Sequence, residues 1–136
     1  MNVDKFKNDH ATVLSAVEDL KRLVKAGIEA NADAISKAVV AMSAKVKLHL
    51  ASEDQYLYPA LAKSANPAVT RLGKQFQDEM GGIAVAYMEF VNRWNLGAKV
   101  AAAPEDFRAH ANAIFKALHQ RIQRENKELY PLAEAA

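Results

Sequence analysis

An all-α fold, an antiparallel up-down-up-down four-helix bundle, is what three features of this 136-residue chain predict. Four long segments carry apolar residues three and four positions apart, the period of a helix with one buried face. Their boundaries carry helix stop and start residues: Gly27, Asn66-Pro67, Gly97 and Pro104. No segment shows a convincing strand pattern, and the connections are short enough to bring successive helices back antiparallel.

The first helix is expected from about Val3 to Ala26, with the stripe Phe6, His10, Val13, Leu14, Val17, Leu20 and Val24 and a stop at Gly27. The second starts near Asp33 and runs to about Leu57, with Val39, Met42, Val46, His49, Glu53 and Leu57 inward. Tyr58-Pro59 should bend or end it, because proline disfavours helix in the residue before it. Asn66-Pro67 caps and opens the third, which reaches about Asn95 with Leu72, Phe76, Glu79, Met80, Ile83, Tyr87, Phe90 and Trp94 inward. Gly81-Gly82 inside it costs about 1 kcal/mol per glycine against alanine. Such a pair is expected to mark a close helix approach or a bend. Ala98 to Ala103 is a small-residue connector, and Pro104-Glu105-Asp106 opens the fourth helix with proline first and acids in the first turn. Its stripe is Phe107, Ala111, Ile114, Leu118, Arg121, Ile122, Glu125 and Leu129.

Composition narrows the function. The chain has no cysteine, so thiolate metal sites, disulfides and cysteine nucleophiles are excluded. Any metal must be held by His, Asp, Glu or water. The net charge of +2 comes from 18 basic and 16 acidic residues, well mixed along the chain, which gives no support to nucleic-acid binding. The N-terminus lacks the apolar core of a signal peptide and no apolar run approaches a membrane span, so one cytoplasmic domain over residues 1–136 is expected.

Polar residues on the inward stripes carry the chemistry. His49-Leu-Ala-Ser-Glu53-Asp-Gln-Tyr-Leu57-Tyr58-Pro59 puts an imidazole and a carboxylate one helical turn apart on one face. The chain repeats the pattern at Arg121-Ile-Gln-Arg-Glu125-Asn-Lys-Glu-Leu129-Tyr130-Pro131. Aligned on Leu-Tyr-Pro, Glu53 falls on Glu125, Asp54 on Asn126 and His49 on Arg121. With His10 and Glu79, all four helices contribute to one inward polar set, which is costly to bury unless its members satisfy one another or bind an ion. His110 and His119 flank their stripe and are expected at the boundary or surface. Tyr58 and Tyr130 are expected to pack over the bundle.

His10, the His49-x-x-x-Glu53-Asp-x-x-Leu-Tyr-Pro segment and the Glu125-Asn-x-x-Leu-Tyr-Pro segment make the chain similar to the hemerythrin-like, or HHE cation-binding, domain over nearly its whole length. The resemblance implies a four-helix bundle with a non-haem di-iron centre that binds or senses dioxygen or nitric oxide, responds to redox change, or stores and senses iron. It further implies that His10 and His49 ligate the first iron and that Glu53 and Glu125 bridge two metals. The second iron lacks its histidines. The third helix offers Gln77-Asp78-Glu79-Met80, and the fourth has Arg121 in place of a histidine. His119 is rotated from that position by about 200°.

Three outcomes stay open. One iron, manganese or zinc ion binds to the His and Glu residues, two metals bind using Glu79, or a hydrogen-bonded network closes with no metal. A guanidinium at Arg121 suits the metal's vacated place beside Glu53, Glu79 and Glu125. The function expected is therefore a sensor or carrier of dioxygen, nitric oxide or iron, whose partners are the metal and a small diatomic ligand, and not a turnover enzyme. The alternative is a metal-free structural or protein-interaction module. A carboxylate-bridged oxidase is a third reading, for which the sequence offers no substrate feature.

Overall fold

The structure, a computed structural model, describes residues 1–135. Helix α1 (Asp4–Ala26) stops where Gly27 takes φ +127°, a conformation side-chain-bearing residues avoid. Helix α2 (Ala32–Ser52) runs into a π turn, Glu53–Leu57, and then into α3 (Tyr58–Ala62). Helix α4 (Pro67–Trp94) begins under a side-chain cap, with Asn66 Oδ1 accepting from the Ala68 N–H at 3.0 Å. A short α5 (Gly97–Ala102) precedes α6 (Pro104–Arg124), which passes through a second π turn, Glu125–Leu129, into α7 (Tyr130–Ala135). The long helices α1, α2, α4 and α6 form the bundle, and no strand occurs among the described residues.

Tyr58-Pro59 does not end the second helix as expected. A proline inside an α-helix has no N–H and its ring presses on the carbonyl four residues back. Here the Tyr58 N–H donates to Glu53 O, five residues back, and the wider turn accommodates the proline so that the helix goes on to Ala62. The second copy does the same, with the Tyr130 N–H donating to Glu125 O. Both inward glutamates thus open a π turn, a local form frequent at functional sites.

Three further expectations are corrected. Ala98 to Ala103 is not plain connector: Gly97–Ala102 is a helix, and it buries Val100 completely against α2. Gly81-Gly82 does not mark a close approach, because a Cβ on either glycine would meet nothing within 4 Å, and α4 runs through the pair as one helix. Glu79 does not face the core. Its side chain is 37% exposed and accepts from Arg124 at 2.7 Å and Gln75 at 3.1 Å, while Met80 turns inward. Burying a third carboxylate beside Glu53 and Glu125 would cost more than a surface ion pair forgoes.

All eight residues of the expected α6 stripe are buried, from Phe107 through to Leu129. The core they help form is divided. One apolar cluster holds Val13, Leu20, Ile35, Val39, Phe90, Trp94, Phe107 and their neighbours, and the other holds Phe6, Leu57, Leu61, Phe76, Leu129 and Ala133. Between them lies a layer of buried polar side chains: His10, His49, Glu53, Arg121 and Glu125. The N-terminus closes the second cluster, with the Met1 ammonium donating to Ala133 O at 2.9 Å and Lys7 paired to Glu134 at 2.7 Å. The C-terminal segment is helical through Ala135, and Ala136 lies outside the described residues. No helix among the described residues is long and apolar enough to cross a membrane.

Candidate metal centre

Four of the five sequence-chosen residues converge. His10 on α1, His49 on α2 and the π-turn residues Glu53 and Glu125 each offer one donor atom, and the four atoms lie within 4.8 Å of one another. The fifth, Glu79, lies outside this group, on the surface.

Separations at the centre are short. His10 Nε2 is 2.7 Å from Glu125 Oε1 and 3.1 Å from His49 Nε2. His49 Nε2 is 3.3 Å from Glu53 Oε1 and 3.7 Å from Glu125 Oε1. Four donors about 2.1 Å from one ion stand about 3.4 Å apart in a tetrahedron, so these spacings suit a shared cation.

The outer side of each ring shows which nitrogen is free. His49 Nδ1–H donates to Asp9 Oδ2 at 3.2 Å, and His10 Nδ1–H donates to Asn126 Oδ1 at 2.9 Å. Carboxylate and carbonyl oxygens accept only, so both rings keep their Nδ1 protons and turn Nε2 lone pairs toward the centre. There they meet each other and two carboxylates. Tyr130 O–H is the one hydroxyl at this spot; it donates to Glu53 Oε2 at 2.9 Å and sits 3.0 Å from His10 Nε2. Glu53 is 0% exposed and its Oε1 has no hydrogen-bond partner. A buried carboxylate oxygen without a donor, facing two imidazole lone pairs, needs a proton or a metal ion. The residues present fit a metal.

In the metal-free chain a proton takes the ion's place on His49. Burial works against a charge on that ring, but the close carboxylates of Glu125 and Glu53 outweigh it and push the imidazole up to about 10. Burial raises the Glu53 carboxyl above its usual range, opposed by the nearby His49 ring and reinforced by the charge of Glu125. Burial also acts on Glu125, yet bonds from His10 and His49 and the Arg121 charge hold it well below the usual carboxylate range. Burial and the two carboxylates push the Tyr130 phenol far up, so it stays a donor.

Arg121, 4% exposed, lies on the other side of Glu125. Its Nε donates to Glu125 Oε2 at 3.2 Å, and its Nη2 donates to the Phe76 carbonyl O at 2.8 Å and to the Tyr58 phenol Oη at 2.9 Å. Its guanidinium carbon stands 4.6 Å from the Phe76 ring centroid. Nη1 has no hydrogen bond and lies 3.6 Å from Glu79 Oε2.

Four residues that sequence reasoning left aside therefore serve the site. Tyr58 and Tyr130, expected as packing, point their hydroxyls into it, and Asp9 and Asn126 orient the rings. Their signals were present: Asp9 precedes His10, and tyrosine recurs at the same place in both Leu-Tyr-Pro copies. His110 and His119 lie apart from the centre, His110 accepting from Trp94 Nε1–H at 2.9 Å and His119 on the surface.

A four-helix bundle that gathers two imidazoles and two carboxylates at its centre is a scaffold of the cation-binding class. The chain belongs to the hemerythrin family: the model of the Hemerythrin HHE cation binding domain matches residues 1–133. Comparisons with curated proteins and with solved structures give no match.

Proposed function

We propose that this protein is a non-haem iron-binding sensor or carrier, with one ion held by His10, His49, Glu53 and Glu125. The observation that carries this is the convergence of two inward Nε2 lone pairs on two buried carboxylates, one with an orphaned oxygen. Nitrogen and oxygen donors without thiolate suit iron, and manganese and zinc are compatible with them. Held by these four residues, an iron ion would supply one-electron redox chemistry and Lewis acidity toward a small ligand. The chain's own residues hold the site in place. Asp9 and Asn126 fix the rings, and Tyr130 keeps a proton on the Glu53 side.

Cavity size favours a small ligand. The space beside the centre, bordered by His49, Glu125, Met80 and Leu118, is about 20 Å³, room for a molecule of water or diatomic size. Dioxygen, nitric oxide and the metal itself are the ligands of that class.

A second reading, a metal-free structural or protein-interaction module, draws on the Arg121–Glu125 pair and the raised His49, which together compensate both carboxylates without an ion. Elemental analysis of protein from iron-supplemented cells separates the two. We expect bound iron that is lost in His10→Ala and His49→Ala. Protein that carries no metal and takes up neither ferrous iron nor cobalt in vitro would refute the metal-binding reading.

A further inference from the structure

We propose that Arg121 is a resident cation of the centre, which limits it to one bound metal ion and keeps the metal-free bundle folded, so the ion comes and goes without unfolding. This rests on the metal-binding reading above and concerns how that same site is regulated.

Glu125 is shared between two positive partners. Its Oε1 faces the histidines, 2.7 Å from His10 Nε2, and its Oε2 faces Arg121 Nε at 3.2 Å. The place on the Oε2 side, where a second cation would use the same carboxylate, is thus taken by a guanidinium. Three separate elements hold it there: the Phe76 carbonyl O from α4, the Tyr58 phenol Oη from the start of α3, and Glu125 itself. Guanidinium does not lose its proton in a protein, so this charge is permanent.

No buried imidazole or further buried carboxylate among the described residues stands on that side to bind a metal in its place. The inward residues of α4 at this level are Phe76 and Met80, and the nearby carboxylate, Glu79, lies at the surface, 3.6 Å from Arg121 Nη1 and paired with Arg124 at 2.7 Å. Among the described residues, the group able to hold an ion has four members, all gathered at the histidine side. Charge gives the same answer. Two carboxylates against one guanidinium leave one negative charge for a metal to meet, whereas two divalent ions would leave a surplus of three positive charges in a buried layer.

The same arrangement uncouples folding from metal. Many small metal-binding domains are unfolded without their ion, because its binding energy is their folding energy. Here Arg121 already compensates Glu125 in the metal-free chain. It also places a fixed positive charge near the incoming ion and so weakens binding. Both effects favour exchange over permanent retention.

The test uses full-length protein stripped with chelator and titrated with cobalt(II) alone. Wild type should fold and melt cooperatively without metal, and take up one equivalent of cobalt. Arg121→Gln should melt lower when metal-free yet bind cobalt at least about tenfold more tightly, since a repulsive charge is gone. An arginine with only a structural role predicts the opposite, weaker binding. Arg121→Lys keeps the charge without the planar fork, so its cobalt affinity should stay near wild type while its melting temperature falls. Uptake of two equivalents by wild type, collapse of the stripped wild type, or Arg121→Gln binding no more tightly would each overturn the proposal. Should Arg121→Gln fail to fold even with cobalt, an Arg121→Lys affinity well away from wild type would overturn it. Uptake of no cobalt by wild type refutes the metal-binding reading instead.

Discussion

Replacing Tyr130 with phenylalanine removes one hydroxyl from the centre of the protein and nothing else. The ring stays, stacked 5.1 Å from the His10 ring centroid, so no cavity opens. What goes is the O–H that donates to Glu53 Oε2 at 2.9 Å. Glu53 is fully buried and its other oxygen already lacks a partner, so the variant leaves the carboxylate without a neutral donor. Leaving a buried acceptor unsatisfied costs about 1–3 kcal/mol, and the upper half of that range applies to a charged acceptor. In a chain of this size that lowers the melting temperature by roughly 7–10 °C. Tyr58→Phe is the internal control, because it changes the same residue of the other Leu-Tyr-Pro copy. Its hydroxyl only accepts from Arg121 Nη2, which keeps Phe76 O at 2.8 Å, so a loss of about 0.5–1.5 kcal/mol is expected. Thermal unfolding of stripped protein measures both. Adding a divalent ion should recover much of the Tyr130→Phe loss, as the ion then partners Glu53. Equal losses in the two variants, or a stripped Tyr130→Phe as stable as wild type, would refute the account of Glu53.

Gly81→Ala and Gly82→Ala should each stabilise the protein by up to about 1 kcal/mol in a melt, since a Cβ there meets nothing within 4 Å. Gly73→Ala should instead destabilise it by about 1–3 kcal/mol, because the new Cβ would lie 2.9 Å from Leu61 Cβ. In stripped protein His49 is raised to about 10, so its contribution to stability is whole below its unfolded value near 6.5 and fades as pH rises toward 10. Melts from pH 6 to 9.5 should show that decline. Metal must displace the same proton, so apparent affinity should rise about tenfold per pH unit for each proton released, with release measurable in weakly buffered titrations. Glu79→Gln should leave metal stoichiometry unchanged, because its carboxylate is a surface partner of Arg124.

Helix periodicity exposed the bundle because its inward stripes are unambiguous where only apolar residues compete. On α6 the stripe from Phe107 to Leu129 is buried at every position named. It failed at Glu79 and Met80, adjacent residues that both fit the stripe of α4, where the choice turns on a surface arginine more than forty positions away, Arg124. Such a contact has no local signal. The π turns were hidden for a related reason: Pro59 announces a conflict with the α-helix, but whether the chain ends the helix or widens it depends on what Tyr58 and Leu57 pack against. Of the site, His10, His49, Glu53 and Glu125 were legible because each interrupts an apolar stripe. Asp9 and Asn126 left a weaker signal, only their place beside His10 and Glu125, because each acts through a ring nitrogen on another helix.

The polar layer that divides the core has a thermal consequence. The two apolar clusters cohere by a force that weakens on cooling, whereas the penalty for keeping charges out of water falls on warming. Cold therefore loosens the clusters first, and heat favours the seam between them. An ion seated at that seam would fasten Phe6, Leu57 and Leu129 to the Val13–Ile122 half of the bundle, so occupancy would register as a change in how cooperatively the two halves melt.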